Sequence, residues 1–112
     1  WAFIRWAEYQ STHGEDPRPI ARQAIETAQQ AVRLNPRNAF PYDQMGNAYL
    51  LIMHAQNAHD EDTRDAEKHA IEAFQKAVEV NPMFAWAWND FGVLHSEKAQ
   101  WLARRGGVAL RP

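Results

Sequence analysis

The sequence predicts an all-α protein made of repeated helix-turn-helix units, and two observations support this prediction. Residues 24–46 and 70–92 align without gaps and are identical at ten of 23 positions, which reveals an internal repeat. Its period of 46 residues lies in the range that is typical of solenoids. Apolar residues also recur every three or four positions before each of two Asn-Pro breaks, which is the spacing of amphipathic helices.

The first two helices are predicted from this spacing and from the break between them. Residues 1–13 carry a broad apolar sector at helical spacing. Residues 14–19 (GEDPRP) interrupt it with a glycine and two prolines, and Asp16 can cap the helix that follows. The second helix is predicted over 19–34. It ends at Asn35-Pro36, because a residue before proline is pushed away from helical geometry.

The same signals place three more helices. A third is predicted over 38–58 and is followed by the polar segment HDEDTRD. A fourth covers 65–80 and ends at Asn81-Pro82. A fifth covers 84–105, and two arginines followed by two glycines mark its end. The units therefore tile 1–112 as a single domain. Because the first residues already read as the middle of a helix, we expect a fragment of a longer chain.

Composition excludes several classes of function. The formal net charge of −2 provides no basic excess for nucleic acid or for an anionic membrane. The sequence has no apolar run of membrane-spanning length. The absence of cysteine excludes disulfides and thiol chemistry, and it fits the reducing cytoplasm that we predict as the location.

The spacing of aromatic and small residues resembles the tetratricopeptide-repeat family. The family pattern of aromatic, aliphatic-Gly, aromatic, then Ala, aromatic, Ala and Pro is met by Tyr42, Met45, Gly46, Tyr49, Ala70, Phe74, Ala77 and Pro82. The resemblance implies a right-handed solenoid of about five antiparallel helices that binds other proteins. The GEDPRP and DEDTRD loops are also similar to long-period arrays that follow bacterial serine/threonine protein kinases.

The period is longer than the roughly 34 residues that are usual in this family. The additional residues, about twelve in number, all lie between Gly46 and Ala70. We expect them to lengthen both helices of a unit and the loop that connects them.

In this family the first helix of each unit lines a concave groove, and carrying that role over by position gives a candidate binding surface. The candidates are Arg5, Phe40, Asp43, Asn47, Leu50, Trp86, Asn89 and Val93, with Trp1, Ile4, Leu51, Ser96 and Glu97 beside them. Rigid aromatics and amides suit the capture of a peptide or protein partner. The alternative is that the aromatics only cover neighbouring helices. A clamp for a terminal carboxylate is not expected, because Asp43 and Asn89 replace the lysines of chaperone-binding members.

No catalytic site, metal site or cofactor is predicted. His54 and His59 are five residues apart, which is not the spacing that puts two ligands on one helical face. The acidic loop beside them reads as a solvated segment. A second hypothesis is a structural element that forms homo-oligomers, because a solenoid leaves apolar faces uncapped at its ends, here near Trp1, Phe3, Trp6 and Trp101.

Overall fold

The structure, a computed structural model, describes residues 16–106 without the side chains of residues 100, 101 and 104–106. It contains the helices α1 (Arg18–Leu34), α2 (Ala39–Ala58), α3 (Arg64–Val80) and α4 (Ala85–Gly106), and the described range has no strand. The all-α prediction is confirmed for this range. Each helix begins and ends within one residue of a predicted boundary. The first predicted helix, with Trp1, Ile4 and Arg5, lies outside the described residues.

None of the four described helices combines the length and the hydropathy that a membrane span requires.

The starts of α1 and α3 share one local geometry. Asp16 Oδ1 accepts the backbone amide of Arg18 at 3.0 Å, and Asp62 Oδ1 accepts that of Arg64 at 3.0 Å. Each arginine side chain returns to the same carboxylate. The predicted cap at Asp16 lies one residue early, because Pro17 occupies the N-cap position of α1. The starts of α1 and α3 are therefore equivalent in structure as well as in sequence.

The two Asn-Pro turns are equivalent in the same way. The side-chain oxygens of Asn35 and Asn81 each accept the amide two residues later, at 3.1 Å in both turns. A ring in the first turn of the next helix then bonds back to the preceding turn. Tyr42 donates its hydroxyl to the carbonyl oxygen of the first proline at 3.2 Å, and Trp88 donates Nε1 to that of the second at 2.9 Å. Each bond links the first turn of a helix to the Asn-Pro turn that precedes it.

The core is centred on the close approach of α2 and α3. Phe74 is fully buried, and its ring lies directly against Gly46, so that a methyl group there would overlap the ring. Tyr49 stacks on His69 with ring centroids 5.0 Å apart. From Gly46 to Tyr49 along α2, the contacting residue of α3 moves back in sequence from Phe74 to His69. The two helices are therefore antiparallel. Small residues let the two backbones come this close.

α4 lies beside α2 and runs in the same direction. Asn47 Nδ2 donates to Asp90 Oδ2 at 2.8 Å, and His54 Nδ1 lies 2.7 Å from Glu97 Oε1. Each pair is separated by 43 residues. A constant separation along two helices requires a parallel arrangement with a fixed offset.

α4 is antiparallel to α3. Phe91 stacks on Phe74 with centroids 5.9 Å apart, and further along Lys98 Nζ reaches Glu67 Oε1 at 2.9 Å. Leu94 is buried in the same cluster as Phe74. α4 is therefore held from two sides, by α2 through polar bonds and by α3 through aromatic and ionic contacts.

Candidate functional site

The predicted binding residues do not share one environment. We call the surface where α2 and α4 lie side by side the α2–α4 face. Phe40, Asn47, Leu50 and Leu51 are half-buried in α2, while Trp86, Asn89, Val93 and Ser96 are exposed on α4, and Glu97 is half-buried. Asp43, which was predicted in the open groove, is buried with 1% of its surface exposed. The predicted residues therefore fall into two groups, an aromatic group at one end of the α2–α4 face and a buried polar group at its centre.

The aromatic end is formed by three rings that we call the aromatic cluster: Phe40, Phe84 and Trp86. Their centroids are 6.1 to 6.5 Å apart and every pair is tilted, which is the range in which aromatic pairs attract one another. Trp86 is 57% exposed. Phe84 was not predicted as a site residue. The sequence placed it at the start of the predicted fifth helix, 84–105, but the groove positions carried over from the family did not include it.

The polar centre is a pair of carboxyl groups joined through an amide. Asn47 Nδ2 donates to Asp90 Oδ2 at 2.8 Å and more weakly to Asp43 Oδ2 at 3.4 Å. Asp43 Oδ1 is buried without a partner. Burial raises the pKa of Asp43 to about 8, with further contributions from its hydrogen bond to Asp90 and from the charge of that residue. At neutral pH Asp43 is therefore mostly protonated.

This pair differs from a catalytic acid and base. A general acid or base has to reach the proton that it transfers, whereas the side chain of Asp43 is covered. Its position supports a structural role as a joint between α2 and α4. The repeat alignment could not reveal it, because the alignment places Asp90 opposite Gln44 and gives no offset between neighbouring helices.

At the other end of the α2–α4 face lies a pocket of about 520 Å³. Its apolar wall includes Met53 from α2, Ile71 from α3 and Leu102 from α4. Asn57 and Thr63 supply polar groups to the same space. The sequence did not identify this pocket. Six of its eleven lining residues lie between Gly46 and Ala70, the segment that exceeds the usual repeat length, and the others come from the rest of α3 and from α4.

The outer side of α4 differs from the equivalent side of α2. Tyr42 is 7% exposed, whereas its repeat partner Trp88 is 54% exposed. A methyl group at Gly46 would meet Phe74, whereas one at Gly92 would meet nothing within 4 Å. Within the described residues, the face that α3 covers on α2 is therefore open on α4.

The histidines of the acidic loop have other partners. His54 pairs with Glu97, and His59 lies near enough to Asp16 to contribute to lowering its pKa, after the larger effect of Arg18. In the range 16–106 no group of three or more His, Asp or Glu side chains has the geometry to hold a metal ion.

No protein-family model, no curated protein and no solved structure matches this chain. The comparison that remains informative is the one between the chain's own repeats.

Proposed function

We propose that this chain is a non-catalytic protein-interaction module of the tetratricopeptide-repeat type, which binds a peptide or protein partner through the aromatic end of the α2–α4 face. The observation that carries the proposal is the aromatic cluster, in which an exposed indole is held by two phenyl rings from different helical units.

The repeat supports the fold part of the proposal, a right-handed solenoid of helix-turn-helix units. Hydrogen bonds at the turns and loops recur one period apart, as described for Asn35 with Asn81 and for Asp16 with Asp62. α2 and α4 would be the first helices of successive units, and they lie parallel as such helices must in a stacked array.

The chemistry of the face supports the binding part. Tryptophan is among the residues that contribute most to protein interfaces, because a large rigid side chain loses little entropy on binding. Trp86 is already positioned by Phe40 and Phe84, so its ordering on binding costs less. Asn89 is exposed one turn further along α4, and its amide can bond to the backbone of an extended segment.

Two tryptophans of α4 allow a matched test. Trp86 and Trp88 are exposed to nearly the same extent, 57% and 54%, but two positions apart on a helix they point to different sides. A random-peptide display library is selected against the whole chain, and the selected peptides are titrated against Trp86→Ala and Trp88→Ala. We expect at least tenfold weaker binding to the first variant, since truncating a central aromatic contact costs about 2 kcal/mol or more, and unchanged binding to the second. Equal affinity for Trp86→Ala and the parent chain would overturn the proposal.

The open outer side of α4 favours a second candidate, a self-association element in which a second copy covers this face. Trp88 and Gly92 lie where α3 covers the equivalent residues of α2. Light scattering coupled to size exclusion, over a concentration series, tests this directly. A dimer that is weakened by Trp88→Ala supports the candidate, and a monomer at the highest concentration rejects it.

A further inference from the structure

The pocket at the far end of the α2–α4 face lies between α3 and α4. The equivalent position in the preceding repeat, between α1 and α2, is filled by apolar side chains. Between α1 and α2, Ala21 and Ile25 meet Ile52 in the buried core. One period later Ile71 keeps its apolar character, but Glu67 stands in place of Ala21 and Lys98 in place of Ile52. An apolar contact has thus been replaced by two charged side chains.

Those charged side chains lie at the edge of the pocket. Lys98 Nζ bonds to Glu67 Oε1 at 2.9 Å, and Glu97 Oε1 lies 2.7 Å from His54 Nδ1. Arg64 is likewise paired, with Asp62. Three cationic and three anionic side chains line the pocket in all. Their charges balance, so the edge favours neither an anion nor a cation.

Two polar side chains, Thr63 and Asn57, line the pocket beside its apolar wall. Thr63 is 5% exposed and occupies the N-cap position of α3, yet its side chain makes no capping bond. The helix starts through the backbone instead, because Glu67 donates its amide to the carbonyl oxygen of Thr63 at 2.9 Å. The side-chain amide of Asn57 is half-buried on the same pocket wall and makes no side-chain bond within the described range. The hydroxyl group and the amide can therefore both bond to a molecule in the pocket.

We infer that this pocket is a binding site for a small neutral amphipathic molecule, with a hydrocarbon body and one hydroxyl-like group. The body lies against Met53, Ile71 and Leu102, and the polar group bonds to Thr63 and Asn57. The volume of 520 Å³ lies within the roughly 300 to 1,000 Å³ of small-molecule sites, which combine apolar walls with a few polar groups in the same way. The site is separate from the aromatic cluster and does not depend on it.

A homologous series of 1-alkanols is the probe, with binding followed by the methyl NMR signals of Met53, Ile71 and Leu102 in the whole chain. We expect saturable shifts at these methyl groups. Affinity should rise about fourfold for each added methylene group, the gain that is typical of burying one CH₂, until the chain length exceeds the pocket.

Thr63→Val separates the two parts of the site. The substitution removes the hydroxyl group at nearly constant shape, and the helix loses no cap because the hydroxyl group does not bond to the backbone. We expect affinity to fall about fivefold for every alkanol, the usual effect of one hydrogen bond, with the gain per methylene group unchanged. Trp86→Ala, at the other end of the face, should bind the alkanols as the parent chain does.

A filled pocket provides the opposite control. Glu67→Ala, Glu97→Leu and Lys98→Ile together give the α3–α4 contact the residues that close the α1–α2 contact, and this variant should lose alkanol binding. Three results would overturn the inference: methyl NMR shifts that do not saturate, an affinity that does not depend on the length of the alkanol, and alkanol binding that persists in the filled variant. Should the filled variant fail to fold, the uniform loss in Thr63→Val decides in its place, and unchanged affinity there also overturns the inference.

Discussion

Replacing Asp43 with asparagine should stabilise the protein at neutral pH, by an amount that increases as the pH rises. Asp43 is buried, and its pKa lies at about 8 against an ordinary value of 3.8. The folded state therefore binds a proton that the unfolded state has released at neutral pH. Asparagine keeps the shape and can still donate to Asp90, but it does not have to be protonated.

The sign and size of the effect follow from this linkage. A carboxyl group with a raised pKa stabilises the fold fully below its unfolded pKa, near 4, and that stability is lost as the pH rises towards the folded value, near 8. Each pH unit between these limits changes the free energy of unfolding by about 1.4 kcal/mol. At pH 7 the predicted advantage of Asp43→Asn is a few kcal/mol, which is a large part of the roughly 5 to 15 kcal/mol that stabilises a domain.

The assay is urea unfolding of parent and variant, followed by circular dichroism from pH 4 to pH 9. Every other group that titrates contributes to both curves, so the difference between the curves isolates Asp43. Asp90→Asn is the control. Because burial is the largest cause of the raised pKa, this variant should keep much of the pH dependence. Curves for parent and Asp43→Asn that stay parallel throughout would refute the reasoning.

Two matched pairs of substitutions make the remaining predictions. Gly46→Ala should destabilise the chain by about 1 to 3 kcal/mol, because the added methyl group overlaps the buried ring of Phe74. Gly92→Ala should be neutral or stabilising by up to about 1 kcal/mol, since the space around it is open and alanine favours a helix. Denaturant unfolding of both variants measures the difference in the free energy of unfolding. Arg18→Ala should lower the melting temperature more than Arg64→Ala does. Arg18 also bonds to Glu61 in the other acidic loop at 2.8 Å, whereas among residues 16–106 Arg64 pairs with Asp62 of its own loop.

The helices were predictable because their determinants are local. Asn35-Pro36 ends α1 through the geometry of one peptide unit, and the same dipeptide ends α3. The repeat also aligns Tyr42 with Trp88, and in the structure these two side chains make the same bond to the preceding turn. Such features require no knowledge of how helices are offset against one another.

The site was less predictable because it depends on that offset. Residues on α2 and α4 pair at a separation of 43, three less than the period of 46, so the alignment of repeats does not identify the contacts. It could not show that Asn47 joins Asp90, nor that Asp43 becomes buried beneath them. It does show Glu67 and Lys98 in place of apolar residues, but without a known contact this reads as ordinary surface variation.

A buried carboxyl group that lowers stability at neutral pH needs a compensating role, and alignment of α2 with α4 provides one. Apolar contacts tolerate sliding, whereas the hydrogen bonds of Asp43 to Asn47 in α2 and to Asp90 in α4 have one geometry. They lie between the aromatic cluster and the pocket. Both proposed sites combine residues of α2 and α4 and so require a fixed offset. Asp43→Leu should therefore preserve stability at neutral pH but weaken peptide and alkanol binding together, while Asp43→Asn preserves both. Unweakened binding to the leucine variant at both sites would show that packing alone sets the offset.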